Sequence, residues 1–261
     1  MSAVDFFAAS RVLIVAGKGG VGKTTVGATI GVAAAATGRD VLLVELEGRS
    51  NLAAPFAFEQ LHYESMAIEE SEAGGRLRAQ QLTPDEALRD YLDHSGLGPI
   101  SNRPSVSGSV DVVATAAPGI RDLLVLGKIR QMEQAGVADL IVVDAPAAGH
   151  AITFLQSAAG LADAAATGPV RQQADQVLEL LGDGDRCRVV LVTIPEDTPV
   201  SEAIETAYEL EDRAGVSLGP VVVNNRWMPI PGLEASSMRS ATPACSICRI
   251  LPSTSRSRIP G

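Results

Sequence analysis

The stretch Arg11-Val-Leu-Ile-Val-Ala-Gly17-Lys-Gly-Gly-Val-Gly22-Lys-Thr24 decides the fold of this 261-residue chain. After Arg11, residues 12–16 are apolar and mostly branched, and they lead into glycines, which is typical of a fully buried parallel strand. The alanine-rich residues 22–37 that follow predict a helix, which Gly38 ends. A buried strand that passes through a glycine-rich loop into a helix indicates an α/β unit.

The same alternation continues along the chain. Further strands are predicted at residues 41–44, 139–144, 188–193 and 220–224, and helices at 83–93, 119–134, 170–181 and 199–214. We therefore expect an α/β fold, with a doubly wound, mostly parallel sheet and helices on both faces. Residues 57–109 show only a general helical pattern, and the part from 95 to 109 is rich in Gly, Pro and Ser and predicts a mobile loop.

Composition excludes several classes of protein. The chain is 46% hydrophobic and 20% charged, which is typical of a globular protein, and its net charge of −10 disfavours general binding to nucleic acid. The N-terminus lacks the pattern of a secretory signal, and the longest uncharged stretch, 145–162, is too polar to span a membrane. Three cysteines are too few for a disulfide scaffold. We expect a soluble, cytoplasmic protein.

The C-terminal residues differ in composition from the rest. Residues 235–261 hold seven Ser, four Arg and three Pro, without Asp or Glu and without a helical or strand period. We place the domain boundary after residue 232, with one folded domain at 1–232 and a tail at 233–261 that is expected to be disordered or poorly packed. Two explanations stay open: a disordered tail, or a reading frame lost after about Gly232.

The glycine-rich loop fits the pattern G-x-x-x-x-G-K-[ST] from Gly17 to Thr24. Its glycines let consecutive backbone N–H groups point inward around a polyphosphate at the positive end of the helix dipole. Lys23 is expected to reach the β- and γ-phosphates, and the Thr24 hydroxyl to ligate Mg²⁺. The predicted nucleotide-binding residues of the loop are Gly17, Lys18, Gly19, Gly20, Val21, Gly22, Lys23, Thr24 and Thr25.

A second lysine, Lys18, follows the first glycine of the loop. The string K-G-G-V-G-K-T-T resembles the deviant Walker A signature of a family that includes arsenite-pump ATPases, tail-anchored-protein targeting ATPases, and the Min and Par partitioning ATPases. The resemblance implies that Lys18 reaches across a dimer interface and stabilises charge on the γ-phosphate of the partner's nucleotide, as an arginine finger does. The alternative is a solvated loop lysine.

The segment Asp144-Ala-Pro-Ala-Ala-Gly-His150 resembles the switch II motif D-T-A-P-T-G-H of arsenite-pump and tail-anchored-targeting ATPases, with Pro146 one place earlier. By this resemblance Asp144 is the Walker B carboxylate, which holds Mg²⁺ through water. For His150 two interpretations stay open: it relays the state of the γ-phosphate to the following helix, or it simply opens that helix.

Three further segments match the family by position. Glu47 falls on the switch I aspartate that orients the attacking water, but its side chain is one methylene longer and no proline follows, so slow hydrolysis is expected. Asn224 matches the asparagine that contacts adenine, although Asn225 follows it directly and the match could shift by one. Glu196 and Glu202 resemble a segment near the dimer interface, or are solvated carboxylates.

The resemblance spans about residues 11–231 and implies an Mg²⁺-dependent ATPase with Lys18, Lys23, Glu47 and Asp144 as catalytic residues. Because the chain has one P-loop, a composite site needs a second subunit, so we expect a homodimer or a heterodimer with a paralogous ATPase. One alternative is a nucleotide-binding regulatory subunit with little turnover, paired with an active paralogue. A third is a Min/Par-type positioning ATPase, for which the tail offers neither an amphipathic helix nor a long basic run.

Two functions found in relatives have little support. Tail-anchored-protein targeting ATPases carry a methionine-rich insertion after switch II, whereas here the segment from Leu155 to Arg188 is short and lacks methionine. Cys245 and Cys248 form a C-x-x-C pair that resembles a zinc clamp between subunits, but a single pair within the tail is weak support. Cys187 is expected to be a structural or bystander thiol. A membrane or client-protein partner is not identified by any of these residues.

Overall fold

The fold is described by a computed structural model for residues 10–46, 52–94 and 119–226. The strands are β1 (Val12–Gly17), β2 (Asp40–Leu46), β3 (Met66–Glu70), β4 (Arg76–Leu82), β5 (Leu140–Ala147), β6 (Cys187–Thr193) and β7 (Val222–Val223). The helices are α1 (Lys23–Ala35), α2 (Pro84–His94), α3 (Ile120–Gln134), α4 (Ala148–Ala164), α5 (Pro169–Gly182) and α6 (Asp197–Ala214), together with a short 3₁₀ helix at Ala54–Phe56. The compact unit that holds these elements ends at Asn225.

The strands form one seven-stranded sheet in the order β3-β4-β2-β5-β1-β6-β7. All neighbouring pairs are parallel except β3 with β4, which are antiparallel. Strand β1, which lies between β5 and β6, is buried along its whole length, as expected for a strand with apolar neighbours on both sides and helices above and below. The predicted mostly parallel α/β sheet is therefore confirmed.

Alternating side chains of β1 enter two separate cores. Val12 and Ile14 pack on one face with side chains of α3, α4, α5 and α6. Leu13 and Val15 pack on the other face with α1 and with residues near the 3₁₀ helix. Because side chains alternate across a strand, a continuous apolar run such as 12–16 supplies both cores at once. Helices on both faces were predicted and are confirmed.

The hairpin of β3 and β4 was not predicted, and the expectation of a general helical pattern over this region was wrong. Residues 71–75 form its turn, in which Gly74 has a φ of +82° and the Ser71 hydroxyl accepts a hydrogen bond from the Gly75 N–H at 3.0 Å. β4 then pairs in parallel with β2 over its whole length. Polar and apolar residues alternate from 76 to 80, and this pattern was the signal that could have predicted the strand.

Strand β5 is longer than predicted. It was expected to end at Asp144, but it continues to Ala147 and α4 begins at the next residue. Asp144 therefore lies inside the strand, with Pro146 also in it. Glu47, the loop at 95–109, and Cys245 and Cys248 with the rest of the tail lie outside the described residues.

Two glycines one turn apart on α1 give a matched stability test. A Cβ added at Gly27 would lie 3.7 Å from Val15, an ordinary contact, whereas one at Gly31 would lie 2.5 Å from Leu43 and 3.2 Å from Leu77, both fully buried. We expect Gly27→Ala to raise the free energy of unfolding by about 0.5–1 kcal/mol, because alanine is the better helix former. We expect Gly31→Ala to lower it by about 1–3 kcal/mol through overpacking. Urea unfolding of both variants measures the difference, and shifts of the same sign would contradict this packing.

Candidate nucleotide-binding site

The glycine-rich loop joins β1 to α1 with a backbone that needs glycine. Gly17, Gly20 and Gly22 have φ values of +153°, +85° and +88°, a region that other residues rarely adopt. A Cβ added at Gly19 or Gly20 would meet no heavy atom within 4 Å. The middle of the loop is therefore open space, of the kind that a polyphosphate cradle requires.

Both ends of the loop, in contrast, are in close contact with the sheet. A Cβ at Gly17 would lie 2.2 Å from the carbonyl oxygen of Val192 on β6. A Cβ at Gly22 would lie 2.4 Å from Nδ2 of Asn224, just after β7. The loop is thus held where it leaves β1 and where it enters α1, and it is open between these points.

The Lys23 side chain folds back over the loop. Its Nζ donates a hydrogen bond to the Lys18 carbonyl at 3.0 Å. Burial lowers the pKa of the Lys23 ammonium, and the carboxylate of Asp144 opposes this shift by stabilising the charged form. An ammonium group short of compensating charge at the N-terminus of a helix is suited to an anionic ligand.

Thr24 and Asp144 come together although 120 residues separate them. The Thr24 hydroxyl donates to Asp144 Oδ2 at 2.6 Å, and Asp144 is 1% exposed. A hydroxyl and a carboxylate are hard oxygen ligands, which suit Mg²⁺ held together with phosphate oxygens. Within the described residues no cluster of three or more His, Cys, Asp or Glu side chains is placed to hold a metal ion, but Mg²⁺ at a phosphate site does not need one.

The extra lysine of the loop is paired within its own chain. Lys18 Nζ lies 2.6 Å from Glu202 Oε1 on α6, and both side chains are 39% exposed. The two residues line a cleft of about 360 Å³ between the loop, the start of α4 and α6, into which Glu205 and Glu209 also face. The sequence singled out both residues but did not predict that they form an ion pair.

The remaining predicted residues occupy different positions. His150 lies in the first turn of α4 and is exposed, and Glu196 is the exposed N-cap residue of α6. Asn224 donates from Nδ2 to the Val21 carbonyl at 2.9 Å, so its side chain lies beside the loop. Asn225 is exposed and has a φ of +53°.

Sequence reasoning gave no role to Glu45, which the structure places beside the site. Glu45 is buried on β2, in register with Asp144 on β5. Its carboxylate accepts hydrogen bonds from the Leu52 N–H at 2.5 Å and from Gln81 Nε2 at 2.9 Å. A charged residue between the apolar run 41–44 and Leu46 was the signal that could have identified it. Glu45 lies just before the segment that contains Glu47, and its bond from the Leu52 N–H holds the chain just after that segment.

Cys187 fits its expected structural role. It is 1% exposed, at the start of β6, and burial raises the pKa of its thiol to about 12. The thiol therefore stays protonated and unreactive at neutral pH. Among residues 10–46, 52–94 and 119–226, no helix is both long and apolar enough to cross a membrane.

A glycine-rich loop between β1 and α1, beside a Thr–Asp pair in a doubly wound sheet, defines the P-loop class of nucleotide-binding domains. The model of the anion-transporting ATPase family matches residues 10–164, more than half of the chain. This chain belongs to that family.

Relatives in several organisms support this assignment. The chain is 38% identical over 221 residues to the ATPase BagA of Mycobacterium tuberculosis, a match that covers 82% of this chain and 64% of BagA. It is 26% identical over 260 residues to the ATPase GET3 of Chaetomium globosum, which covers 86% of this chain and 75% of GET3. The match to BagA therefore spans less than two thirds of that relative's length.

The lowered pKa of Lys23 predicts a pH dependence of nucleotide affinity. Below that pKa the ammonium is charged and affinity is full; as the pH rises through it, the charge is lost and affinity falls. A bound polyphosphate raises the pKa of Lys23, so binding takes up a proton on the alkaline side. Titration calorimetry between about pH 7 and about pH 10, in buffers of different ionisation enthalpy, measures both effects.

The matched control is Lys23→Arg, whose guanidinium stays charged over this range. This variant should lose the proton uptake whatever its affinity. Equal proton uptake in both proteins, or an affinity of the unaltered chain that stays constant up to about pH 10, would contradict the assignment.

Proposed function

We propose that this chain is an Mg²⁺-dependent ATPase that dimerises around bound nucleotide and uses the bound state to switch a partner-binding or transport-coupled surface. The observation that carries the proposal is the contact of the Thr24 hydroxyl with Asp144 at 2.6 Å beside an open, glycine-lined loop. Membership of the anion-transporting ATPase family and the similarity to BagA and GET3 support it.

The residues of the loop have separate roles in binding. Lys23 exchanges the Lys18 carbonyl for the β- and γ-phosphates, which compensate its buried charge. The backbone N–H groups of residues 19–24 donate to the phosphate oxygens. Thr24 and Asp144 would hold Mg²⁺, Asp144 through water, and the ion would neutralise charge on the phosphates. Asn224 would contact the adenine, as its match to the family implies.

Hydrolysis proceeds by in-line attack of water on the γ-phosphate. Glu47 orients the water, and Lys23, the loop N–H groups and Lys18 stabilise the developing charge. The family resemblance implies that Lys18 acts in trans. It must therefore first leave Glu202 and reach the nucleotide of a second subunit. The cost is modest, because an ion pair in which both side chains are more than one third exposed is weak.

Substitution of the two loop lysines tests these roles separately. Lys23→Ala should abolish nucleotide binding or turnover, because it removes the ammonium from the phosphates. Lys18→Ala should leave binding to the monomer intact and slow turnover, because only the trans contact is lost. Binding by equilibrium titration and phosphate release are the measurements. Unaltered turnover in Lys23→Ala would refute the site, and a normal rate in Lys18→Ala would refute the trans lysine.

The ion pair of Lys18 with Glu202 gives a second prediction. Glu202→Gln frees Lys18, so nucleotide-dependent dimerisation should occur at a lower protein concentration, by at most about fivefold for an exposed pair. Glu205→Gln removes the same charge one turn along α6 and is the matched control. Analytical ultracentrifugation with bound nucleotide measures the shift; an equal shift in both variants would show a general charge effect and contradict the specific role of the pair.

A nucleotide-binding regulatory subunit, paired with an active paralogue, is the second candidate. It is favoured by Glu47, which replaces a shorter carboxylate of the family, and it predicts little turnover by the isolated chain. Single-turnover measurements with and without candidate partner ATPases separate the two functions. Appreciable turnover by the isolated chain rejects the regulatory function; turnover only with a paralogue supports it. In either case we propose a homodimer or heterodimer in the cytoplasm.

A further inference from the structure

The end of β7 is tied to the phosphate loop by a contact that no base-binding role requires. The Asn224 backbone N–H donates to the Thr193 carbonyl at 2.7 Å, which fixes residue 224 beside the end of β6. From there the side-chain Nδ2 of Asn224 donates to the Val21 carbonyl at 2.9 Å. Residues 203 positions apart are thus joined at the point where the loop becomes α1.

A second observation places the same side chain against Gly22. A Cβ at Gly22 would lie 2.4 Å from Asn224 Nδ2, closer than two such atoms can approach. Gly22 is the N-cap residue of α1, and its φ of +88° already favours glycine. Asn224 therefore contacts both residues of the Val21–Gly22 peptide unit.

Because a peptide group is planar, this contact also fixes the orientation of one N–H group of the phosphate-binding loop. The carbonyl of Val21 and the N–H of Gly22 belong to one planar, trans peptide group, so they point in opposite directions. A donor that holds the carbonyl towards β7 thereby holds the Gly22 N–H away from β7. That N–H is one of the loop donors available to a phosphate at the helix N-terminus.

The other side-chain bond to a loop carbonyl does not survive binding in the proposed mechanism. Lys23 Nζ donates to the Lys18 carbonyl, and this bond is lost when Lys23 moves to the phosphates. The bond from Asn224 to Val21 has no such conflict. An asparagine amide has two N–H donors and one acceptor oxygen, so the bond leaves one N–H and Oδ1 for a base.

We propose that Asn224 is a positioning residue of the phosphate cradle: through the Val21 carbonyl it orients the Gly22 N–H towards bound phosphate, independently of any contact with a base. The proposal rests on the proposed nucleotide-binding function and deepens it, because it assigns to one side chain a role in binding the phosphate part of the ligand. A residue that only contacted the base would have no influence on a ligand without one.

Inorganic tripolyphosphate with Mg²⁺ is the ligand that separates the two roles. Asn224→Leu removes the donor without adding charge, and it should weaken the binding of both Mg²⁺–tripolyphosphate and Mg²⁺–ATP by roughly fivefold or more, the scale of one hydrogen bond. Asn225→Gly is the matched control, since glycine tolerates the φ of +53° and the exposed Asn225 side chain is removed. It should bind tripolyphosphate as the unaltered chain does. Full tripolyphosphate affinity in Asn224→Leu would overturn the proposal.

Hydrogen exchange on the ligand-free chain tests the same role without any nucleotide. In Asn224→Leu, amides of residues 19–24 should exchange faster, while those of β5 keep their protection; unchanged exchange at the loop overturns the proposal. Asn224→Ala gives a second variant, to be used if the leucine variant melts at a lower temperature. If the intact chain binds neither ATP nor tripolyphosphate, the proposed function fails, whereas the exchange result still decides the role of Asn224.

Discussion

The position of β1 between β5 and β6 is the constraint on which the whole site depends. Parallel register places Val15 opposite Asp144 and Gly17 opposite Val192. The carboxyl ends of the three strands therefore meet where the loop begins, and parallel α/β sheets bind ligands at such ends. Thr24 meets Asp144 because α1 starts directly above this point. A shift of one residue in either pairing would separate these groups, since it would turn alternate side chains to the opposite face.

The site combines a rigid frame with an incompletely compensated charge. Nearly all residues of the strands beneath the loop are buried and packed from both sides, so the loop ends have little freedom. Above them Lys23 is partly desolvated and held by a neutral carbonyl. The two cores stabilise this frame, and a cation lies beside it at a helix N-terminus. The arrangement is therefore preorganised for a polyanion. Little of the frame needs to move when the ligand binds.

Features that depend on contiguous residues could be predicted from the sequence, whereas contacts between distant residues could not. The loop from Gly17 to Thr24 and the carboxylate at Asp144 are carried by contiguous residues, so their elements were predictable, although β5 proved longer. The pairs of Lys18 with Glu202 and of Asn224 with Val21 join residues 184 and 203 positions apart. Such contacts follow from strand order and register, which a local pattern does not contain. The hairpin of β3 and β4 was not predicted from the sequence, because its outer strand is short and mixes polar with apolar residues.

The antiparallel strand β3 has a consequence for how copies of this protein meet. Within the described residues it forms one margin of the sheet, where unpaired backbone groups are a template for strand addition by another chain. Here Glu69 and Glu70 are exposed on that margin, and the ladder to β4 is interrupted between Ala67 and Glu69. Irregular pairing and like charges both discourage the extension of the sheet from one molecule into the next. This margin therefore protects the folded chain against intermolecular β-aggregation.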